Sequence, residues 1–297
     1  MSPKNLTRRE FIKTGTLAAA AGTFILNNPQ SLFAATEEKS RVVLIRNKMV
    51  INEDGKLNAG LIQEMLDESL RVIFNTQETS QAWKKIIKPD DIVGIKTNVW
   101  NYLRTPPELE NAIKKRVMEC GVAEEKIGIK DRGVLRDPVF QNATALINSR
   151  PMRTHYWSGV GSLIKNYIMF VEKPSDWHDD SCADLAAIWK LPVVADKTRL
   201  NILVMLTPQF HNIGPHGFSP EYVWRYYGLI VGVDPVACDA VGLKIIEAKR
   251  KEYFGEDKPL NPPAKHIELA DTRHHLGNAD MKKIDLIKIG FEEGIFI

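Results

Sequence analysis

The residue types best suited to chemistry stand close together between positions 154 and 166. The segment contains His155, Gly159, Gly161, Lys165 and Asn166. A neutral histidine can serve as a general base or a metal ligand, and a lysine supplies positive charge for a carboxylate or phosphate. Glycines let a backbone approach a ligand closely. The segment predicts a ligand site in which His155 and Lys165 are the catalytic candidates and the other three residues bind a cofactor.

Three further polar residues extend this predicted cofactor site. Lys96 and Asn98 follow an apolar run at positions 91–95, and Asp131 ends a second short run. In open α/β sheets, ligands bind beyond the carboxyl ends of the strands. Asp239 lies inside a predicted helix, where it has no capping role. We therefore expect Lys96, Asn98 and Asp239 to join the cofactor-binding residues, with Asp131 nearby.

Each candidate also has a structural alternative. His155 could be hydrogen-bonded at a strand end, and Lys96 could extend its amine into water. Asp234 precedes Pro235, which is typical of a helix N-cap. Several aromatic residues could line a pocket, although core packing is their commoner use; they are Tyr156, Trp157, Trp224, Tyr226 and Tyr227.

A metal site is a weaker hypothesis. His211 and His216 stand five positions apart in a glycine-containing loop, a spacing that allows two ligands to one metal, with His155 as a third. Solvated loop histidines are the alternative. The cofactor itself stays undetermined between a metal and a metal-bearing organic molecule. An iron-sulfur cluster is disfavoured because Cys120, Cys182 and Cys238 are widely spaced and no Cys-x-x-Cys occurs.

Apolar runs alternate with helical periodicity along the chain. The runs predict strands at 41–50, 91–97, 126–131, 152–155, 200–206, 229–233 and 281–289, and the periodicity predicts helices at 58–74, 80–87, 106–120, 137–148, 183–189 and 234–251. Strands that alternate with helices indicate a layered α/β fold, with a largely parallel sheet and flanking helices. The 297 residues suffice for one large domain or two intimately packed α/β lobes.

The first 35 residues have the features of a targeting signal. Arg8-Arg9 precede Glu-Phe-Ile-Lys and an uncharged, alanine-rich stretch, which is similar to a twin-arginine export signal. We therefore divide the chain into a signal peptide, 1–35, and a single domain, 36–297. The twin-arginine export machinery would be a partner, and the location would be the periplasm or the cell exterior. The apolar stretch is short for a membrane span, so no stable transmembrane segment is expected after cleavage, whereas an uncleaved signal could tether the protein.

Charge argues against nucleic acid as a partner. The signal contains four of the 40 Lys and Arg residues and one of the 37 Asp and Glu residues, so the remaining chain carries 36 of each. The basic character is therefore partly a property of the signal, and nucleic-acid binding loses its main compositional support.

Several segments together resemble the bacterial family of domain of unknown function 362. They are Ile95-Lys96-Thr97-Asn98, the stretch from His155 to Asn166, residues 232–241 with their Asp-Pro-Val-Ala sequence, and residues 276–290. The resemblance implies an α/β architecture across about 41–290. Some members carry ferredoxin-like cysteine motifs, which this chain lacks. His155 and Lys165, ten residues apart, are also similar to a pair that contributes to cofactor binding in lactate-racemase-like nickel-pincer enzymes.

Three functional hypotheses follow. The first is an exported protein that binds a small anionic molecule or a metal-bearing cofactor. The second is a racemase-like or isomerase-like enzyme that acts α to a carboxylate, with His155 as base and Lys165 holding the cofactor or substrate. The third is a periplasmic binding or scaffold protein without catalysis. The sequence leaves open whether the protein is an enzyme.

Overall fold

One eight-stranded sheet forms the centre of the protein in the computed structural model, which describes residues 39–212, 214 and 217–297. The predicted signal peptide and His216 therefore lie outside the described residues. The strands are β1 (Ser40–Arg46), β2 (Val93–Lys96), β3 (Ile127–Lys130), β4 (Ala145–His155), β5 (Gly159–Gly161), β6 (Thr198–Gln209), β7 (Gly228–Gly232) and β8 (Ile284–Gly290).

The predicted largely parallel sheet is confirmed. The strand order is β3-β2-β4-β6-β7-β1-β8, and β5 pairs with β4 alone. Neighbours pair in parallel except at β7, which runs antiparallel to β6 and β1, and at β5, which folds back antiparallel on β4. The carboxyl ends of β3, β2, β4 and β6 consequently meet at one edge of the sheet.

Helices cover both faces of the sheet, as the layered α/β prediction requires. They are α1 (Ala59–Phe74), α2 (Thr79–Lys84), α3 (Pro107–Glu119), α4 (Pro138–Gln141), α5 (Leu163–Asn166), α6 (Pro235–Phe254) and α7 (Lys265–Thr272). Shorter 3-10 segments lie at 167–170 and 185–190. The first three helices pack on one face and α5 to α7 on the other, and each face has its own buried apolar cluster.

Local signals placed most helix starts correctly. The side chain of Asn58 accepts a hydrogen bond from Leu61 N, and that of Asp234 accepts from Val236 N and Ala237 N. The capping alternative for Asp234 is therefore the observed one. Its second carboxylate oxygen accepts hydrogen bonds from Ser40 Oγ and Asn278 N, which ties the helix start to β1 and to the segment after α7.

One predicted helix is wrong. The helix predicted from 137 to about 148 ends at Gln141, and positions from Ala145 onward form the first part of β4. All eleven residues of β4 are buried, since it lies in the middle of the sheet between β2 and β6. Burial on both faces removes the alternating pattern that would distinguish this strand from a helix.

Candidate functional site

The end of β4 and the short helix α5 bring together most of the residues singled out by the sequence. After His155 the chain turns and returns as β5, so that Arg153 pairs with Gly161 and His155 with Gly159. Helix α5 follows at once and carries Lys165 and Asn166. The segment is compact because the two strands are joined by only three residues.

Both glycines of this turn are required by close contacts. Gly159 has a φ of +71°, and a Cβ there would lie 2.6 Å from the carbonyl oxygen of Pro262. A Cβ at Gly161 would lie 2.7 Å from a terminal nitrogen of the Arg150 guanidinium. The two glycines thus make room for a chain segment and for a buried cation.

A buried hydrogen-bond network joins α5 to the end of β2. Lys96 is fully buried, and its Nζ donates to Asp131 Oδ1 at 2.7 Å and to Asn166 Oδ1 at 3.2 Å. The Asn166 amide donates in turn to Asn148 Oδ1 at 2.8 Å. Burial lowers the pKa of Lys96 to about 8 although Asp131 opposes the shift, and Lys96 holds the pKa of Asp131 below its ordinary value against the effect of burial. The snorkelling alternative for Lys96 is therefore wrong.

Asp239 binds the start of α5. Its carboxylate accepts hydrogen bonds from Ser162 Oγ at 2.6 Å and from the backbone N–H groups of Leu163 and Ile164 at 2.9 Å each. Burial raises its pKa to about 7, while those three hydrogen bonds pull it down. In this arrangement, Asp239 positions the helix that carries Lys165, and both of its oxygens already have partners.

Lys165 has a different environment from Lys96. It is 3% exposed, and its Nζ donates a hydrogen bond to Cys182 Sγ at 3.4 Å. Burial lowers its pKa to about 8; the nearby Cys182 thiol opposes that shift, and the Arg150 and Arg153 charges add to it. In the part of the chain that the structure describes, no carboxylate lies at ion-pair distance from Lys165.

Two arginines that the sequence did not single out lie beside Lys165. Arg150 and Arg153 are 4% and 3% exposed, and Nε of each is buried without a hydrogen-bond partner among the described residues. Arg153 donates to Asn98 Oδ1 at 3.1 Å, which brings Asn98 into the same region. Desolvation lowers the pKa of Arg150 to about 10 and that of Arg153 well below its usual value. We refer to Arg150, Arg153 and Lys165 as the cation cluster.

His155 faces this cluster as a neutral ring. Its Nδ1 accepts a hydrogen bond from Trp157 N at 3.2 Å. Burial, and then Lys165 and the two arginines, hold its pKa well below the usual range. A neutral imidazole that accepts at Nδ1 carries its proton on Nε2. In this tautomer, His155 offers a hydrogen-bond donor and no free base.

A second histidine was missed because it comes from a distant part of the chain. His266, in α7, is fully buried, and both ring nitrogens lack partners among the described residues. Burial lowers its pKa to about 3, and Lys165 and Arg150 contribute to the shift, which places this ring near both cations. No sequence signal linked it to residues more than 100 positions earlier.

The proposed histidine metal site is not assembled in the described part of the chain. His211 Nδ1 lies 3.0 Å from an Arg250 terminal nitrogen, and its ring packs against Tyr222 and Phe254. Among the described residues, no group of three His, Cys, Asp or Glu side chains could hold a metal ion. The cysteines give no cluster either, since all three are buried free thiols.

The cation cluster is nearly closed to solvent. Open concavities of about 460 and 490 Å³ lie elsewhere, against α3 and between Arg46 and α1. Within the described part of the chain, Arg150, Arg153, Lys165 and His155 each keep only a few per cent of their surface exposed. Within the described residues, no helix combines the length and the apolar character that crossing a membrane demands.

Comparison with known proteins gives a family and no activity. Residues 93–244, just over half of the chain, match the family model described as "Domain of unknown function (DUF362)". The matched region contains Lys96, the whole of β4, α5 and Asp239, whereas His266 lies beyond it. No curated protein and no solved structure gives a significant match.

Proposed function

The chain belongs to the family of domain of unknown function 362, and we propose that this member binds a small anionic ligand at the cation cluster. One observation carries the proposal. Arg150, Arg153 and Lys165 are nearly completely buried, yet none has a carboxylate at ion-pair distance among the described residues. Lys96 differs, because Asp131 neutralises it.

Electrostatics explains why this arrangement calls for a ligand. Transferring an unpaired charge from water into a protein interior costs several kcal/mol even after relaxation. The three charges also repel one another, and Asp131 and Asp239 offset those of the arginines only in part, because neither carboxylate lies at ion-pair distance from them among the described residues. A ligand that supplies negative charge and hydrogen-bond acceptors recovers part of this cost. The Nε atoms of Arg150 and Arg153, which have no partner within the described part of the chain, are available as donors to it.

The neutral histidines add donors without adding charge. His155 offers Nε2–H, and His266 can offer one N–H from a ring whose nitrogens have no hydrogen-bond partner among the described residues. The surplus of positive charge favours an anion and disfavours a bare metal cation. A metal-bearing cofactor fits only if it brings its own negative charge, for example through carboxylates or phosphates.

We further propose that the protein acts outside the cytoplasm. The support is the Arg8-Arg9 pair with the uncharged stretch that follows, and the twin-arginine route carries proteins that are already folded. A buried ligand site that closes during folding in the cytoplasm is compatible with export of the folded protein.

Proton transfer α to a carboxylate is a second candidate function, favoured by the amine of Lys165. Its pKa of about 8 lies close enough to neutrality for a general base. His155 is the poorer base because its Nδ1 is occupied and its pKa is low. Racemisation or isomerisation that survives His155→Ala but is abolished by Lys165→Arg would support this function.

A thermal unfolding assay tests the binding proposal. The full-length protein is heated with phosphate, sulfate, lactate or malate at matched ionic strength. At least one anion should raise the midpoint temperature, and Arg150→Met and Lys165→Met should remove that rise. Lys244→Met, which removes an exposed lysine, is the control. No stabilisation by any anion, or equal stabilisation of all four proteins, would contradict the proposal.

A further inference from the structure

Aromatic side chains gather at the outer edge of the cation cluster. We call five of them the aromatic rim: Trp100, Tyr102, Tyr156, Trp157 and Phe218. Tyr102, Tyr156 and Trp157 are 59%, 45% and 38% exposed. Single exposed apolar side chains are normal on a protein surface, whereas a group of them marks a surface that contacts something else.

One flank of the rim lies against Arg153. The Trp100 ring lies 4.4 Å from the Arg153 guanidinium carbon, a cation–π contact. Tyr102 and Phe218 stack on each other with centroids 4.5 Å apart, and both make edge contacts with Trp100. These three rings therefore form a packed unit with Arg153 at its inner end.

The other flank lies against His155. The Trp157 ring is 6.0 Å from the His155 ring and stacks at 4.0 Å on His178. Burial and the nearby Lys165 charge lower the pKa of His178 to about 4, which places this stack close to the cluster. Arg153 and His155 are two positions apart in β4 and point to the same side of the strand. Both flanks thus border the same cluster.

This inference rests on the proposed function. We infer that the ligand is an anion carried on a planar aromatic body, with the anionic group at Arg150, Arg153 and Lys165 and the ring held by the aromatic rim. A bare inorganic ion would use only the inner half of this surface. A planar ring matches the outer half, because aromatic pairs stack or meet edge to face at 4.5–7 Å.

The cation cluster and the aromatic rim should contribute separately to ligand affinity. Pairs of a simple anion and its aryl counterpart, phosphate with phenyl phosphate and acetate with benzoate, are titrated into the full-length protein by calorimetry. We expect the aryl member to bind at least about tenfold more tightly in one pair or both, the combined effect of stacking and apolar burial.

Substitutions in the aromatic rim test whether the rim causes the tighter binding of the aryl anions. Tyr102→Ala removes a rim ring that packs on Trp100 and Phe218 and makes no cation–π contact among the described residues. It should reduce the aryl preference severalfold while leaving the affinity for the simple anion unchanged. Trp100→Leu should reduce the preference further and also weaken the simple anion, because Arg153 loses its packing partner. Tyr253→Ala, which removes a 45% exposed aromatic ring on α6, is the control and should change neither affinity.

The outcomes separate this inference from the proposed function. If simple anions bind and the aryl members bind no better, or if Tyr102→Ala leaves the preference intact, the aromatic ligand is overturned while anion binding stands. If neither member of either pair binds, the proposed function fails and this inference falls with it.

Discussion

Lys96 Nζ lies 2.7 Å from Asp131 Oδ1, and this pair distinguishes Lys96 from the other buried cations near the end of β4. Lys165 is also buried, but among the described residues its amine contacts a thiol, Cys182, and has no carboxylate at ion-pair distance. Both lysines are buried, but Lys96 is paired with a carboxylate and Lys165 has none at ion-pair distance among the described residues. Substitutions at the two positions should therefore change the free energy of unfolding in opposite directions.

The first prediction compares Lys96→Met with Lys165→Met. Removing Lys96 leaves Asp131 buried without its partner, which should lower the free energy of unfolding by about 3–5 kcal/mol. Removing Lys165 eliminates an uncompensated charge, so the ligand-free protein should be as stable as the wild type or more stable by up to about 4 kcal/mol. Urea unfolding without added anions measures both. A large loss in Lys165→Met would contradict the assignment of Lys165 to the ligand.

The second prediction concerns Asp239. In Asp239→Asn, one of the three donors at the start of α5 loses its acceptor, and a buried unsatisfied donor costs about 1–3 kcal/mol. The displaced helix should also weaken anion binding, because it carries Lys165. Asp234→Asn is the matched control, since Asp234 caps α6 in the same way without holding α5. It should lose similar stability in urea unfolding and keep the anion response; equal responses in both variants would refute a positioning role.

The third prediction uses the pH dependence of His266. Its folded-state pKa is lowered from 6.5 to about 3, so the folded state resists protonation that the unfolded state accepts. The free energy of unfolding should therefore be highest above pH 6.5, where His266 is neutral in both states. It should decrease as the pH falls toward 3, and the His266 contribution to this loss is about 2–3 kcal/mol at pH 4.5. His266→Phe should reduce this acid-induced loss, although His155 and His178 still contribute. Unfolding curves at pH 7 and 4.5 that change equally in both proteins would show that His266 is not the cause.

The fourth prediction concerns the pH dependence of anion affinity. Lys165 has a pKa of about 8 in the ligand-free protein, so its charge is present below pH 8 and is lost as the pH rises through that value. Calorimetric affinity for the anion that stabilises best should fall up to about tenfold per pH unit above 8. Lys165→Arg keeps its charge and should hold its affinity to higher pH. A profile that is flat from pH 7 to 9.5 in the wild type would exclude Lys165 from the site.

Much of the fold was accessible from the sequence because its elements carry local signals. Asn58 and Asp234 mark helix starts through their own side chains, and Pro106-Pro107 marks the start of α3, with Pro106 as N-cap and Pro107 as the first residue. Strand β4 was assigned too short because burial on both faces erases periodicity, and the antiparallel direction of β7 has no local signature. Pairing direction depends on contacts between distant segments.

The candidate site was predictable where its residues are close in sequence. The segment from His155 to Asn166 is one continuous stretch of chain, so its glycines, histidine and lysine identified it. Arg150 and Arg153 were missed although Arg153 lies in the predicted strand 152–155 and Arg150 just before it, because no local pattern marks either arginine as part of a site. His266 could not be found, since only the packing of α7 brings it near Lys165. Asp239 was found, but its partners turned out to be donors of the protein itself.

The most direct test of an anion at the cation cluster is a crystal structure of the protein grown with selenate, whose selenium can be located by anomalous scattering. The account predicts an anomalous peak within about 4 Å of the Arg150 guanidinium and the Lys165 amine, or a bound anionic molecule in the same place that excludes selenate. Hydrogen-bond distances to the oxygens should then be about 2.7–3.0 Å. Density confined to the outer surface, with Arg150 and Lys165 each paired to a carboxylate of the chain, would contradict it.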